Sequence, residues 1–325
     1  MSDRSRRRVG LLAALRARAR KKLYPQPVRA IARKLGYDVV RSDFYSPIPD
    51  LTAISDRRWR QPAPVPGIDL RIEASLSFLR EELAPYVTEY SPPDHPPPTR
   101  HGYIRINGMY PMVDGEILYA MVRHLRPPRI VEIGAGFSTA VISDALARSA
   151  SEGQAPVSRE VFDPFPSEST GMAAVPIQPL RAQEIPVETL MGLRSGDFLI
   201  IDTTHTVVPF GDVTRLLLEI VPALAPGVVV HIHDFFRPYE YPRRFIAEDG
   251  VYWQEQYLVQ ALLACNDDFE VLIANYALVR AHPRSVADVI PGADCLPDDA
   301  PGSALWIRRV RARDAVQRPS SHPSA

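Results

Sequence analysis

An α/β fold is predicted from three features of the 325-residue chain. From Arg129 onward, short β-branched runs alternate with stretches of helical periodicity, the pattern of a parallel sheet with crossover helices on both faces. The runs are apolar on consecutive residues, as strands buried on both faces of a parallel sheet are. Polar groups then gather at the carboxyl ends of these runs, where open α/β sheets bind their ligands.

Seven strands follow in order: "RIVEI" (129–133), "REVFD" (159–163), "AVPIQ" (174–178), "DFLIID" (197–202), "GVVVHIH" (227–233), "FEVLIA" (269–274) and "SALWIRRV" (303–310). Helices fit between them at 138–149, 186–193, 211–223 and 253–264. The stretch from Ala281 to Gly302 is rich in Pro and Asp and too irregular for a crossover helix, so the last two strands should pair antiparallel at one edge. Upstream, 70–87 and 113–125 read as helices, and proline in "FYSPIPD", "RQPAPVPGID" and "SPPDHPPPTR" predicts extended connectors. Residues 9–36 have apolar positions at helical spacing interrupted by "YPQP" at 24–27, which predicts two short basic amphipathic helices. The domain plan is a basic helical extension (1–42), a Pro-rich connector with a helical cap (43–112), the sheet domain (113–312) and a disordered tail (313–325).

The chain is 46% hydrophobic and 23% charged, the composition of a soluble protein with a sizeable core. Its net charge of zero hides an asymmetry. Residues 1–41 carry 13 Lys and Arg against Asp3 and Asp38, leaving 25 basic and 36 acidic residues beyond. That balance gives no reason to expect nucleic acid, while the basic arm suits either a solvated extension or contact with a membrane surface or partner. Cys265 and Cys295 are too few for a disulfide framework or a thiolate zinc site. With no apolar stretch long enough to span a bilayer, the expected location is cytoplasmic, at most peripheral to a membrane. Arg16 breaks the apolar run of the basic start, which argues against a secretory signal; an organelle transit peptide would want more Ser.

Two strand ends carry the chemistry. "VEIGAGFSTA" (131–140) reads as strand, glycine turn and helix start: Gly134 and Gly136 let the backbone pass close beneath a ligand, and the helix opening at Ser138 presents free N–H groups. Asp163, ending the next strand, could accept both ribose hydroxyls of a nucleoside. Thr139 stands where a dinucleotide turn wants a small residue, and Glu132 would repel a pyrophosphate. Both favour S-adenosylmethionine, which is cationic and has no phosphate. The second site joins Asp202, Thr204 and His205 of "DFLIIDTTHT" to His233 and Asp234 of "VVVHIHD", on strands expected to be neighbours. Asp202, His233 and Asp234 form a candidate set for Mg or another divalent metal. Without metal, His205 or His233 could act as a general base. His231 shares a face with His233 and reads equally well as a satisfied supporting histidine.

Taken together, "FYSPIPD", "NGMYPMVDGEILYAMVR", "RIVEIGAGFSTAVI", "VFDPFP", "GDFLIIDTTHTV", "LAPGVVVHIHDFFRPYEYP", "WQEQYLVQALL" and "GSALWIRR" resemble the class I S-adenosylmethionine-dependent methyltransferases over about residues 43–310. More narrowly, they resemble a bacterial group with a "SPIPD" segment and an "IHD" strand end. The resemblance implies a Rossmann-like sheet with a reversed last strand. It also implies that Glu132, Gly134 and Gly136 line the methionine and adenosine moieties, that Asp163 holds the ribose, and that Gln183 or Glu184 meets the adenine. Relatives that methylate sugar or catechol hydroxyls place an acidic metal site on the same strand ends. Asp202 and Asp234 match it, whereas His233 departs from it, and Thr204 stands where some have an acidic base, which leaves His205 for that role. The implied reaction is O-methylation of a small-molecule or glycan acceptor.

Asn107, Tyr110, Asp114, Arg237 and Tyr239 are candidates for acceptor recognition, and Trp253 and Tyr257 read better as core. Two other classes compete. A non-haem metal oxygenase would use two histidines and a carboxylate but leave the glycine turn idle. A non-catalytic interaction protein would dock through its basic arm but predicts a lost nucleotide turn.

Overall fold

The computed structural model describes residues 26–40, 43–95, 102–166, 175–297 and 302–311. The first expected amphipathic helix and the tail from 313 lie outside them. The chain divides into two compact units, Met1–Ala53 and Ile54–Ala325. In the first, α1 (Gln26–Lys34) ends in Arg33 and Lys34, cations placed favourably at a helix C-terminus, and a single 3₁₀ turn covers Leu51–Ala53.

The second unit opens with α2 (Asp56–Arg60), then α3 (Ile72–Phe78) running through a wide turn at Leu79–Leu83 into α4 (Ala84–Glu89), and α5 (Asp114–Leu125). The alternating part follows: β1 (Arg129–Ile133), α6 (Phe137–Ser151), β2 (Ser158–Phe162), β3 (Ile177–Gln178), α7 (Val187–Met191), β4 (Phe198–Ile201), α8 (Asp212–Arg215) and β5 (Val229–Ile232). After α9 (Arg243–Ala247) and α10 (Glu255–Leu263), β6 (Phe269–Ala274) leads into α11 (Asn275–Ala281) and α12 (Pro283–Ala287), and β7 (Leu305–Arg309) closes the sheet.

The strand order is β3-β2-β1-β4-β5-β7-β6. All pairings are parallel except those of β7, which runs antiparallel to both β5 and β6. The seven strands and the reversed last one are those expected. β7 slots between β5 and β6, so β6 takes the edge, and the Pro/Asp-rich stretch before β7 begins with two short helices. The third strand is shorter than expected, because Pro176 cannot donate to a ladder. The helix expected at 211–223 opens as α8, widens at Leu216–Ile220 and ends in a 3₁₀ turn carrying Pro222.

Strand alternation divides the core between the two faces of the sheet. Ile130, Phe198, Ile200, Val229 and Trp306 pack with Ile117 and Met121 of α5 and Val141 of α6. Val131, Ile133, Leu199, Ile201, Val230, Ile232 and Leu305 pack on the other side with Leu190, Leu216 and Val259. Each such buried aliphatic contributes about 1.5–3 kcal/mol over an exposed one. The same alternation orients the site. Asp202 continues the Phe198–Ile200 face of β4, and His231 and His233 continue the Val229 face of β5, so all three turn to the α5 side.

Candidate active site

The β4–β5 pairing sets Ile201 beside Ile232, and His233 N donates to Ile201 O at 3.0 Å, so Asp202 and His233 leave adjacent strands together. Asp234 should face the opposite way, but the strand has ended: at φ 57° it takes a left-handed conformation that returns its carboxylate to the cluster. His205 is left-handed too, at φ 54°, which folds its ring back over Asp202. Nε2 of His205 lies 3.2 Å from Asp202 Oδ1 and 3.5 Å from Asp234 Oδ2, and Nδ1 of His233 lies 3.6 Å from Oδ2 of each.

Both outer ring nitrogens are held as well. His205 Nδ1 meets Glu255 Oε2 at 2.7 Å, and His233 Nε2 meets Asp114 Oδ2 at 3.3 Å. Burial opposes charge on His205, but hydrogen bonds to Asp202 and Glu255 and the field of Glu255 and Asp234 outweigh it and raise its pKa to about 10. Burial likewise opposes charge on His233, and the fields of Asp234 and Asp202 with the Asp114 contact override it, holding this ring protonated. In return, Asp202 and Asp114 stay ionised despite burial, with pKa values lowered chiefly by His233. Glu255 is raised by its burial, which His205 offsets only in part. His231 is the contrasting case. Burial and the His233 cation lower its pKa to about 3, and the neutral ring pairs with Tyr110 Oη at 3.0 Å, the supporting role that was one of its two readings.

A cavity of about 530 Å³ opens on this cluster. Ala135, Gly136 and Phe137 line one side, Asp202, His205, His233 and Asp234 the floor, and Tyr110 and Trp253 the opposite walls. Thr203 Oγ1 lines it too, buried and without a partner. A Cβ added at Gly136 would meet nothing within 4 Å, so the turn leaves open space on the cavity side. At Gly134, φ is 91° and a Cβ would sit 1.7 Å from Asp202 O: glycine is required for β1 and β4 to end side by side.

The other expected donor-site residues are engaged within the protein or lie beyond β3. Glu132 is fully buried and already saturated: Oε1 accepts from Ser138 Oγ and Thr139 Oγ1, both at 2.8 Å, and Oε2 accepts from Arg159 Nη2 at 2.9 Å. It therefore fastens α6 to β1 and β2, and the Ser138 hydroxyl takes part in the same contact. Asp163 is half-buried at the end of β2, with one oxygen accepting from Ala135 N at 2.9 Å and the other from Phe165 N at 2.7 Å. Gln183 and Glu184 are exposed beyond β3, and Glu184 Oε2 accepts from Arg181 N.

Of the acceptor candidates, Asn107 and Tyr110 line the cavity, whereas Arg237 and Tyr239 line two neighbouring ones. Asn107 builds its own loop through Met109 N and Tyr110 N. Asp114 is buried and accepts from Asn275 Nδ2, Ser303 N and Ala304 N, so it orients His233 and does not meet an acceptor. Trp253, expected as core, stands in the cavity wall with its ring 4.5 Å from His205, while Tyr257 is partly exposed.

Asp202, His233 and Asp234, the set expected for a divalent metal, stand together at the ends of β4 and β5. Among the described residues, no group of three or more His, Cys, Asp or Glu side chains stands in an arrangement that would hold a metal ion. His233 stands among these carboxylates. With His205, it brings two imidazole rings among the carboxylates.

Three supporting residues escape a reading of the sequence: Asp114 as the partner of His233, Glu255 as the partner of His205, and Arg159 as the partner of Glu132. Asp114 and Glu255 lie within the quoted "NGMYPMVDGEILYAMVR" and "WQEQYLVQALL" and Arg159 opens "REVFD", but nothing in the sequence pairs them with these partners.

Comparisons with known proteins bear on this site. Residues 131–235 match the family model of a methyltransferase domain, under half of the chain but including the glycine turn and both charged strand ends. A protein of Archaeoglobus fulgidus with no characterised function is 31% identical over 148 residues, which cover 43% of this chain. The chain spans 64% of the length of that curated relative. The structure of the Podospora anserina methyltransferase PaMTH1 with S-adenosylhomocysteine is 15% identical, with a TM-score of 0.35 over 61% of this chain and 78% of that one. An O-methyltransferase of Bacillus cereus, also with S-adenosylhomocysteine, gives 13% identity and 0.35 over 72% and 91%. The match to a methyltransferase domain is confined to residues 131–235, and the strand order is that of an open α/β sheet with one reversed strand.

Proposed function

We propose that the protein transfers a methyl group from S-adenosylmethionine to a hydroxyl oxygen of a small-molecule or glycan acceptor. One observation carries this reading: a single cavity joins the glycine turn after β1 to the carboxylate–imidazole cluster at the ends of β4 and β5. The resemblance to a bacterial group with an "IHD" strand end belongs to the same proposal and is supported by the quoted motifs.

In this reading Ala135, Gly136 and Thr203 hold the donor, and Asp163, beside the turn, takes its ribose. S-adenosylmethionine supplies a methyl on a sulfonium, which an acceptor oxygen displaces in line, the bonding pair leaving with sulfur. The protein's part is position and proton. Aligning the two reactants is worth up to roughly 7–11 kcal/mol in well-oriented systems. The acceptor oxygen gains a bond and must lose its proton. His205 and His233 are already protonated, so that proton passes to Asp202, ionised and the most open carboxylate of the cluster, with 30% of its side chain exposed. The weak basicity of Asp202 is sufficient, because a hydroxyl that has begun to bond to the methyl is strongly acidic. The imidazoliums hold the carboxylates in place.

Isothermal titration with S-adenosylhomocysteine tests the donor assignment, with micromolar binding expected. A screen of hydroxyl compounds with labelled donor then identifies the acceptor. Absence of binding by the folded protein would overturn the proposal.

A further inference from the structure

We infer that Arg237 is the centre of a second ligand site, which takes a small oxyanion: a phosphate, sulfate or carboxylate group. The inference stands apart from the methyl-transfer reading, because Arg237 does not line the methyl-transfer cavity.

Arg237 is only 6% exposed, and its Nε is buried with no hydrogen-bond partner. Its guanidinium makes no hydrogen bond or ion pair with any described residue. Other arginines with buried side chains are held by partners: Arg309 bonds the carbonyls of Pro222 and Arg311. Arg123 is held by Glu89, Ser149 and Glu152, and Arg159 by Glu132, Ser143 and the carbonyl of Thr139. Burying a guanidinium without a counter-charge is among the least favourable arrangements a fold can hold. Here the burial ends at a cavity of about 300 Å³, walled by Arg58, Trp59, Pro62, Pro64 and Glu240 together with Arg237 itself. The proline wall is tied down by Ala63 N, which donates to Pro238 O at 2.7 Å.

Glu240 lines the same cavity but does not pair with Arg237. Its Oε1 accepts from Tyr241 N at 3.1 Å, from Gln256 Nε2 at 2.8 Å and from Tyr257 Oη, and no ion pair links it to Arg237. Arg58 adds a second cation at the exposed mouth. A planar guanidinium offers paired N–H groups that match two oxygens of one oxyanion, and with Arg58 the cavity carries net positive charge. Trp59 and the prolines would cover an apolar body attached to such a group.

The test uses the full chain. Titration calorimetry and thermal denaturation are run with sodium phosphate, sulfate and acetate against sodium chloride at equal ionic strength. Wild type should bind at least one of these oxyanions at millimolar concentration or tighter, and its Tm should rise with anion concentration. Arg237→Met, whose folding is checked by circular dichroism, should weaken binding about thirtyfold or more, and Arg58→Gln should weaken it less. No binding by wild type, or equal binding by wild type and Arg237→Met, would overturn the inference. Should Arg237→Met fail to fold, a crystal of the wild-type protein soaked in selenate decides. An anomalous peak beside Arg237 supports the site, and selenate elsewhere only refutes it. Phenyl phosphate distinguishes the sources: tighter binding than phosphate marks an anionic group carried on a larger ligand, and equal binding marks the free ion.

Discussion

Glu255, in the first turn of α10, holds Nδ1 of His205 at 2.7 Å, and this contact turns Nε2 towards Asp202 and Asp234. In Glu255→Gln the His205 pKa should fall from about 10 towards 6.5, read by NMR titration of the ring. The wild-type pairing also predicts a pH window. The raised pKa contributes stability that is complete below 6.5, shrinks as pH rises and is gone above about 10. Denaturation across that interval should show a loss in wild type that is smaller in the variant, and parallel curves would show that the contact does not set the titration.

Asp202→Asn tests the proton acceptor. The change keeps the shape of the side chain but removes the charge, so turnover should fall by about 10²–10⁴-fold while S-adenosylhomocysteine affinity stays near the wild-type value. Full activity in the variant would move the proton to another group.

The buried Glu132–Arg159 pair makes a structural prediction. Glu132→Gln leaves Arg159 without its counter-charge and should destabilise the fold by about 3–5 kcal/mol in urea titrations. The double change with Arg159→Met should recover part of that loss. Because the Glu132 carboxylate is bound by Ser138, Thr139 and Arg159, S-adenosylhomocysteine affinity should change little in folded variants; a selective loss would place Glu132 in the donor site.

Chelator treatment tests the charge arrangement of the cluster. If two imidazoliums balance the carboxylates, the purified protein should carry metal well below one equivalent. Dialysis against a chelator should also leave its Tm and S-adenosylhomocysteine affinity unchanged. One tightly held equivalent, lost with a fall in Tm, would show that His205 and His233 are deprotonated ligands.

The sequence by itself determined where the strands lie, because burial on both faces imposes consecutive apolar residues and the turns that end them carry Gly, Asp or Pro. β1 and β6 fall on the expected residues, and Asp202, His205, His233 and Asp234 converge because neighbouring strands end together. Composition and period say nothing, however, about which side chains meet across 119 residues, as His233 and Asp114 do, or across 50, as His205 and Glu255 do. Only the tertiary structure set those pairs, and with them the protonation of both imidazoles. It also made Glu132 an internal tie, because its partner Arg159 stands on the next strand, and it left Arg237 buried without a partner. The charge of a buried group depends on the partners that the fold brings to it, and a linear pattern of residue types does not contain that information.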